Sequence, residues 1–478
     1  MFRDGGNAVD AAVAANAVLA VVYPHMSSIG GDLMALVWPA GAARPVGLEG
    51  AGRSGALAAI DAVRSEGFTE MPERGATTVT VPGTPVAWGR LIEEHGRLAL
   101  GHLVAPAASI ADAGFTVTGN LALALQREAG WLMREPEARK LLPPLKAGMT
   151  MRNRDLARTL TEVGSRGFLS FYRGRIAAAI VGAVAERGGF LTVPDLYGGV
   201  RPKWVDPLEL DYRDTTVFEL PPPAQGVVAL GMLARLARLP PELGPGAEFV
   251  RHLARVSGDV YALRDRYLGD PDFAPVPLAP FLDLAVEPLS DATAVPDGGT
   301  VCVCAADAEG TVAVLVQSLA GTFGSGIVAE GTGVLLNNRG SYFSLEPSSP
   351  NRLEPRKRPF QTLIPALAAR AGAPWAAFGS MGGDAQPQVH VQLLRNLVDH
   401  RLDAADAVAA PRARVKPRGG EITVEADYPG VRELMQWPNV RLAPPRSGYL
   451  GHAQAVVVER GGWAGGSDPR SDGAVIEV

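Results

Sequence analysis

The sequence predicts a mixed α/β fold, and three stretches carry the prediction. Ala8 to Val22 is an alanine-rich run of helical composition, broken by the turn formers Pro24-His25-Met26-Ser27-Ser28-Ile29-Gly30-Gly31. Between about Leu91 and Arg264, helical segments such as Leu156–Val163 and Ile176–Arg187 alternate with extended ones such as Leu208–Leu220, which Pro221-Pro222-Pro223 ends. From Thr300 the pattern changes to β alternation.

The first stretch also bears on location. Asp10 and Asn16 interrupt its apolar character and no convincing cleavage site follows, so a buried helix is expected rather than a signal sequence. With no run of about 18 apolar residues elsewhere, the expected compartment is the cytoplasm. The chain has 478 residues, enough for two or three average domains or one large α/β unit. Hydrophobic residues at 47% and charged residues at 20% exclude the disordered class. A net charge of -5 gives no general attraction to nucleic acid or acidic membranes, which leaves a small molecule as the expected partner.

The third stretch is a hairpin. Thr300-Val301-Cys302-Val303-Cys304 is followed by a turn at Asp307-Ala308-Glu309-Gly310 and then Thr311 to Ser318. Pairing outward from the turn sets Thr300 opposite Gln317 or Ser318, with opposed Cβ atoms about 5 Å apart. Cys302 and Cys304, the only cysteines, then share a face without the geometry a disulfide needs.

Motifs for other chemistries are weak. The seven histidines are scattered with no metal-ligand spacing, and His390 reads as a packing residue. No Gly-x-Ser-x-Gly elbow occurs. Gly324-Ser325-Gly326-Ile327-Val328-Ala329 follows a hairpin strand rather than opening a βαβ unit, which argues against a dinucleotide. No metal and no cofactor is therefore expected. Locally, Asp297-Gly298-Gly299 before Thr300 is ordinary turn chemistry.

What singles out Thr300 is a resemblance along nearly the whole chain. Gly5-Gly6-Asn7-Ala8-Val9-Asp10-Ala11-Ala12, Pro24-His25, Ile29-Gly30-Gly31-Asp32, Val81-Pro82-Gly83, Glu219-Leu220-Pro221-Pro222 with Gln225-Gly226, Phe323-Gly324-Ser325-Gly326, Leu335-Leu336-Asn337-Asn338, Lys357-Arg358-Pro359 and Ser467-Asp468-Pro469-Arg470 stand in one order. That order resembles the gamma-glutamyltranspeptidase family. The resemblance implies a four-layer αββα sandwich of the N-terminal-nucleophile hydrolase type. It implies self-cleavage of Gly299-Thr300 into a large region, 1–299, and a small region, 300–478, interlocked in one fold. Thr300 would be nucleophile and, through its new α-amine, base. Ser318 would be its hydroxyl neighbour, and the Gly382-Gly383 loop would supply oxyanion donors.

The chain departs from the family where substrate binds. The family's glutamine and aspartate after the Asn-Asn pair, which hold an α-amino acid head, fall on Arg339 and Tyr342. Its paired serines, which help fix the α-carboxylate, fall on Gln361 and Thr362, and its early carboxylate-binding arginine on Glu49, for which Arg53 close by is the expected substitute; at the nucleophile end, the polar contact position after Ser318 holds Ala320. An arginine favours a carboxylate where an aspartate favours an ammonium. These changes resemble the acylase-like members, which hydrolyse amides of acids without an α-amino group, such as glutaryl side chains or oxamate. A gamma-glutamyltransferase or glutathione hydrolase, and an unprocessed binding protein on the same fold, are the alternatives. Family chains also carry a strand ahead of the Gly-Gly-Asn-Ala segment, and lack of it would expose a sheet edge.

Overall fold

The computed structural model describes residues 1–198, 201–283, 298–417 and 419–477; Asp297 lies outside them. Among the described residues, eleven strands build two sheets: β1 (Asp32–Trp38), β2 (Val46–Gly50), β3 (Lys203–Val205), β4 (Leu208–Tyr212), β5 (Thr215–Glu219), β6 (Gly298–Ala306), β7 (Val312–Gly321), β8 (Ala366–Arg370), β9 (Ala373–Met381), β10 (His452–Glu459) and β11 (Gly462–Ser467). The first sheet has the order β3-β2-β1-β7-β6 and the second β11-β10-β9-β8-β5-β4. The extended stretch expected over Leu208–Leu220 is thus a hairpin, turned at Arg213 and Asp214. A left-handed Arg213, φ 58°, lets the chain reverse there.

Alternation along the strands decides the layers. Met34, Leu36 and Trp38 on β1, Val312, Val314 and Val316 on β7, and Cys302 and Cys304 on β6 meet Leu367, Ala369 and Ala377 of the second sheet. The intervening residues Leu33, Ala35, Val37, Ala313 and Leu315 turn the other way, onto helices α1 (Ala8–Val22), α2 (Thr84–His95), α3 (Leu100–Ala113), α4 (Arg154–Arg166) and α5 (Gly174–Ala185). The far face of the second sheet is covered by α6 (Gly226–Leu236), α7 (Ala247–Tyr267) and α8 (Gln386–Val398). Two sheets face to face, each with a helical layer outside, make the four-layer αββα sandwich.

Helix α1 is buried on most sides, as its composition requires. Asn7 caps it with a reciprocal capping box: its side chain accepts from Val9 and Asp10 N–H, and Asp10 accepts from the Asn7 N–H. The Gly-Gly-Asn-Ala-Val-Asp motif is therefore a helix start. The two cysteine sulfurs lie 3.9 Å apart in the inter-sheet layer, both thiols free. His390 is buried in α8 and bonds the Glu219 carboxyl group through Nδ1 at 2.7 Å, a polar pairing beyond simple packing. Burial pushes Glu219 up and His390 down to about 3, so the pair is held by a neutral-group hydrogen bond.

Candidate active site

The site is a row across the first sheet. On antiparallel β1, β7 and β6, Asp32 pairs with Ser318 and Ser318 pairs with Thr300, so all three side chains share the inter-sheet face. The register is the Ser318 alternative. Gln317 pairs with Val301 on the opposite face and bonds Ser27, the Ser28 carbonyl and Thr84.

A bulge interrupts the ladder at the Gly299-Thr300 bond. Gly299 pairs with Ala320, Thr300 with Ser318, and Leu319 is skipped. Ala320 takes the turn with φ 78°, in the left-handed region. The Ser318 hydroxyl donates to the Gly299 carbonyl at 2.5 Å while its oxygen accepts from the Ala320 N–H at 2.7 Å. The carbonyl of that one peptide is thus polarised by a buried hydroxyl, and beside it Thr300 Oγ1 is buried with no hydrogen-bond partner. Gly299 must be glycine, since a Cβ there would lie 2.8 Å from the His25 carbonyl and 3.1 Å from Met26 Cα. His25 itself is buried and held down at about 3 by loss of hydration, hence neutral.

Gly382 and Gly383 follow β9 and close over the start of β6. A Cβ on Gly298 would stand 3.4 Å from the Gly383 nitrogen. The Gly382 carbonyl is occupied by the Ala385 N–H at 2.8 Å, and in a trans peptide the Gly383 N–H points the other way.

At the other end of the row, Asn337 and Asn338 clamp the Arg339 turn onto the sheet. The Asn337 side chain bonds Thr80, the Gly30 carbonyl and the Arg339 N–H, and Asn338 Oδ1 accepts from the Gly321 N–H at 2.7 Å. The wholly buried Arg339 stands with Nε 3.6 Å from Asp32 Oδ2, donates from Nη1 to Thr362 Oγ1 at 3.1 Å, and lies 4.8 Å over the Tyr342 ring. Its Nε and Nη2 have no hydrogen-bond partner. Asp32 also accepts from the Gly52 N–H at 2.9 Å and from Gln361 Nε2 at 3.4 Å. Burial raises its pKa to about 6, against the pull of Arg339.

Thr300, Ser318, Gly382 and Gly383 therefore meet at one end of the row, and Arg339, Tyr342, Gln361 and Thr362 at the other. Arg53 follows Gly52, which touches Asp32, but its guanidinium bonds Asp272 at 2.6 Å and the Arg356 carbonyl at 2.8 Å, within a network where Arg358 joins Glu49 and Asp270. Asp32 and Gln225 also belong to the region; both stand in the ordered family motifs, but nothing in their local pattern marks them as site residues. Gln225 donates from Nε2 to the Gly383 carbonyl at 3.1 Å and leaves Oε1 without a partner. Among the buried side-chain atoms without a hydrogen-bond partner, Thr300 Oγ1, Arg339 Nε and Nη2, Gln361 Oε1 and Gln225 Oε1 belong to this region.

The model of one family, gamma-glutamyltranspeptidase, matches residues 1–478. The chain belongs to the gamma-glutamyltranspeptidase family. Among family relatives it is 33% identical over 505 residues to a glutathione hydrolase-like proenzyme, YwrD, of Bacillus subtilis, covering 99% of this chain and 94% of the relative. It is also 33% identical to an oxamate amidohydrolase proenzyme of Klebsiella pneumoniae, with the same coverage. A cephalosporin acylase from Bacillus halodurans superposes with a TM-score of 0.88 at 31% identity, covering 99% of this chain and 92% of the acylase. This gamma-glutamyltranspeptidase-family chain is an amide hydrolase on the N-terminal-nucleophile fold.

Proposed function

We propose that the protein cleaves itself before Thr300 and then hydrolyses small amides whose acyl group ends in a carboxylate. The observation that carries the reading is the row itself, with a buried hydroxyl lacking a hydrogen-bond partner at one end and, at the other, a buried guanidinium that is ion-paired with Asp32 yet keeps Nε and Nη2 without a hydrogen-bond acceptor.

Self-cleavage begins when Thr300 Oγ attacks the Gly299 carbonyl carbon. The C–N bond breaks, the acyl group moves to oxygen as an ester, and the nitrogen gains a proton. Water then hydrolyses the ester to a Gly299 carboxylate and a Thr300 bearing both hydroxyl and α-amine. An α-amine titrates near 7.7 to 8.0, so a useful neutral fraction is present at neutral pH to accept the Oγ proton. In turnover, Oγ adds to the substrate carbonyl, the oxyanion meets the Gly383 N–H, the amine leaves with a proton, and water hydrolyses the acyl-threonine.

Ser318→Ala removes the donor to the Gly299 carbonyl. Self-cleavage is expected to slow by roughly 10²- to 10³-fold, the usual cost of one oxyanion donor. Time-resolved denaturing electrophoresis of freshly made chain measures it; a wild-type rate in the variant would refute the role.

Asp32 makes substrate binding depend on pH. Its pKa is raised to about 6, so the carboxylate that competes for Arg339 is present above that pH and neutralised below it. Affinity for a substrate carboxylate is thus expected to rise as pH falls through 6, by up to about tenfold. KM for glutaryl p-nitroanilide between pH 7.5 and 5 reads this. A KM that is flat in wild type, or that still falls in Asp32→Asn, would count against it.

A second reading has its own observation. Asp32 and Arg339 side by side present a carboxylate and a guanidinium, a complement to an α-amino acid head as well as to a plain acid. Comparing gamma-glutamyl with glutaryl p-nitroanilide separates the two, and preference for glutaryl is the expected result.

A further inference from the structure

The Gly382-Gly383 loop is held from beneath by a buried polar assembly that the steps above do not use. Asp384 places Oδ1 2.5 Å from Nη1 of Arg264, and both side chains are 1% exposed. Arg264 comes from the last turn of α7, bonds Asp265 through Nε at 2.9 Å, and lies 4.9 Å over Tyr261 and 5.1 Å over Phe360. Tyr261, one turn earlier, donates its hydroxyl to the Asp384 carbonyl. Gln388 donates to that hydroxyl at 3.1 Å and is itself anchored on Val415.

Three successive carbonyls of the loop are therefore tied away: Gly382 to the Ala385 N–H, Gly383 to Gln225 and Asp384 to Tyr261. Gly382 and Gly383 sit at φ 138° and 56°, which glycine adopts freely and leaves as freely. Two adjacent glycines cannot hold a peptide plane by themselves, so its aim must be imposed by neighbours. A buried arginine–carboxylate pair adds little net stability over apolar packing, yet it is directional.

We propose that Arg264 is a positioning residue: through Asp384, and with Tyr261, it fixes the peptide planes that aim the Gly383 N–H at the oxyanion. The role rests on the reading that Gly383 meets that oxyanion. A misplacement of about 1 Å can cost on the order of 100-fold in rate.

The test uses self-cleaved Arg264→Met, Arg264→Lys and Tyr261→Phe, assayed on glutaryl p-nitroanilide and for inhibition by 4-boronobutanoic acid, a tetrahedral mimic of the acyl centre. Arg264→Met is expected to lower kcat by roughly 10- to 100-fold with KM within about threefold. Boronate affinity should fall in step, and Arg264→Lys should recover part of both. Tyr261→Phe, which removes one hydroxyl from an intact core, is expected to lower kcat a few-fold and decides the matter if Arg264→Met does not fold. Wild-type kcat and boronate affinity in folded Arg264→Met, or in Tyr261→Phe when it alone is folded, would overturn the positioning role. That failure is distinct from failure of the underlying reading, which would show as hydrolysis surviving in Thr300→Ala or as a wild type insensitive to the boronate.

Discussion

Thr300→Ala is expected to yield a single full-length chain with no hydrolysis above background. The substitution removes the one oxygen that performs both reactions: attack on the Gly299 carbonyl, and attack on the substrate. Without the first there is no free α-amine, so the base is lost together with the nucleophile. Loss of a nucleophile that works as a unit with its base costs on the order of 10⁴- to 10⁶-fold in kcat. Intact-mass analysis reads the maturation and a glutaryl anilide assay reads the turnover. Two fragments divided directly after Gly299 in the variant would sink the self-cleavage reading. Thr300→Ser, which keeps an attacking hydroxyl, should still process. Both outcomes follow from a local geometry in which Ser318 donates to the Gly299 carbonyl and Thr300 Oγ1 stands beside it unpartnered.

The second large effect is on selectivity. Replacing Arg339 alone would strand the buried Asp32 carboxylate, and uncompensated buried charge destabilises by about 3–5 kcal/mol. The paired variant Asp32→Asn/Arg339→Leu removes the guanidinium without leaving that charge. Losing a buried hydrogen-bonded charge partner for a ligand costs about 2–5 kcal/mol, or roughly 30- to 4,000-fold in kcat/KM for the acid-headed substrate. Butyryl p-nitroanilide, which lacks the terminal carboxylate, should change little. The ratio of the two kcat/KM values is the measurement, and a ratio equal to that of wild type would remove Arg339 from the pocket.

Much of this site was readable along the chain, for physical reasons that differ by residue. The β6–β7 hairpin is local: a turn at Asp307–Gly310 and period-two alternation narrow the residue facing Thr300 to two candidates. Choosing Ser318 over Gln317 needed the closing pair of the turn, Ala306 with Val312, from which the ladder runs unbroken to Thr300 and Ser318; the bulge at Leu319 lies beyond that pair and acts on Gly299. Arg53 shows the converse. It lies beside Gly52, whose N–H does bond Asp32, but its side chain is taken by Asp272, more than two hundred residues later. Tyr261 and Arg264 carry no local signal at all, because a polar residue on a long amphipathic helix looks solvated until the helix is packed.

By itself the sequence determined the α/β class, the hairpin with Thr300 at its head, the family, and the exchange of the family's head-group residues for Arg339, Tyr342, Gln361 and Thr362. Those are properties of short periodic patterns and of ordered motifs, which a linear chain carries. Only the tertiary structure decided that Asp32 shares a face with Ser318 and Thr300, that Arg339 is paired with it inside the sandwich, and that Gly382 and Gly383 are clamped from α7. Strand order and helix docking bring together residues that stand up to about 300 positions apart, and desolvation acts on a charge only once the second sheet has covered it.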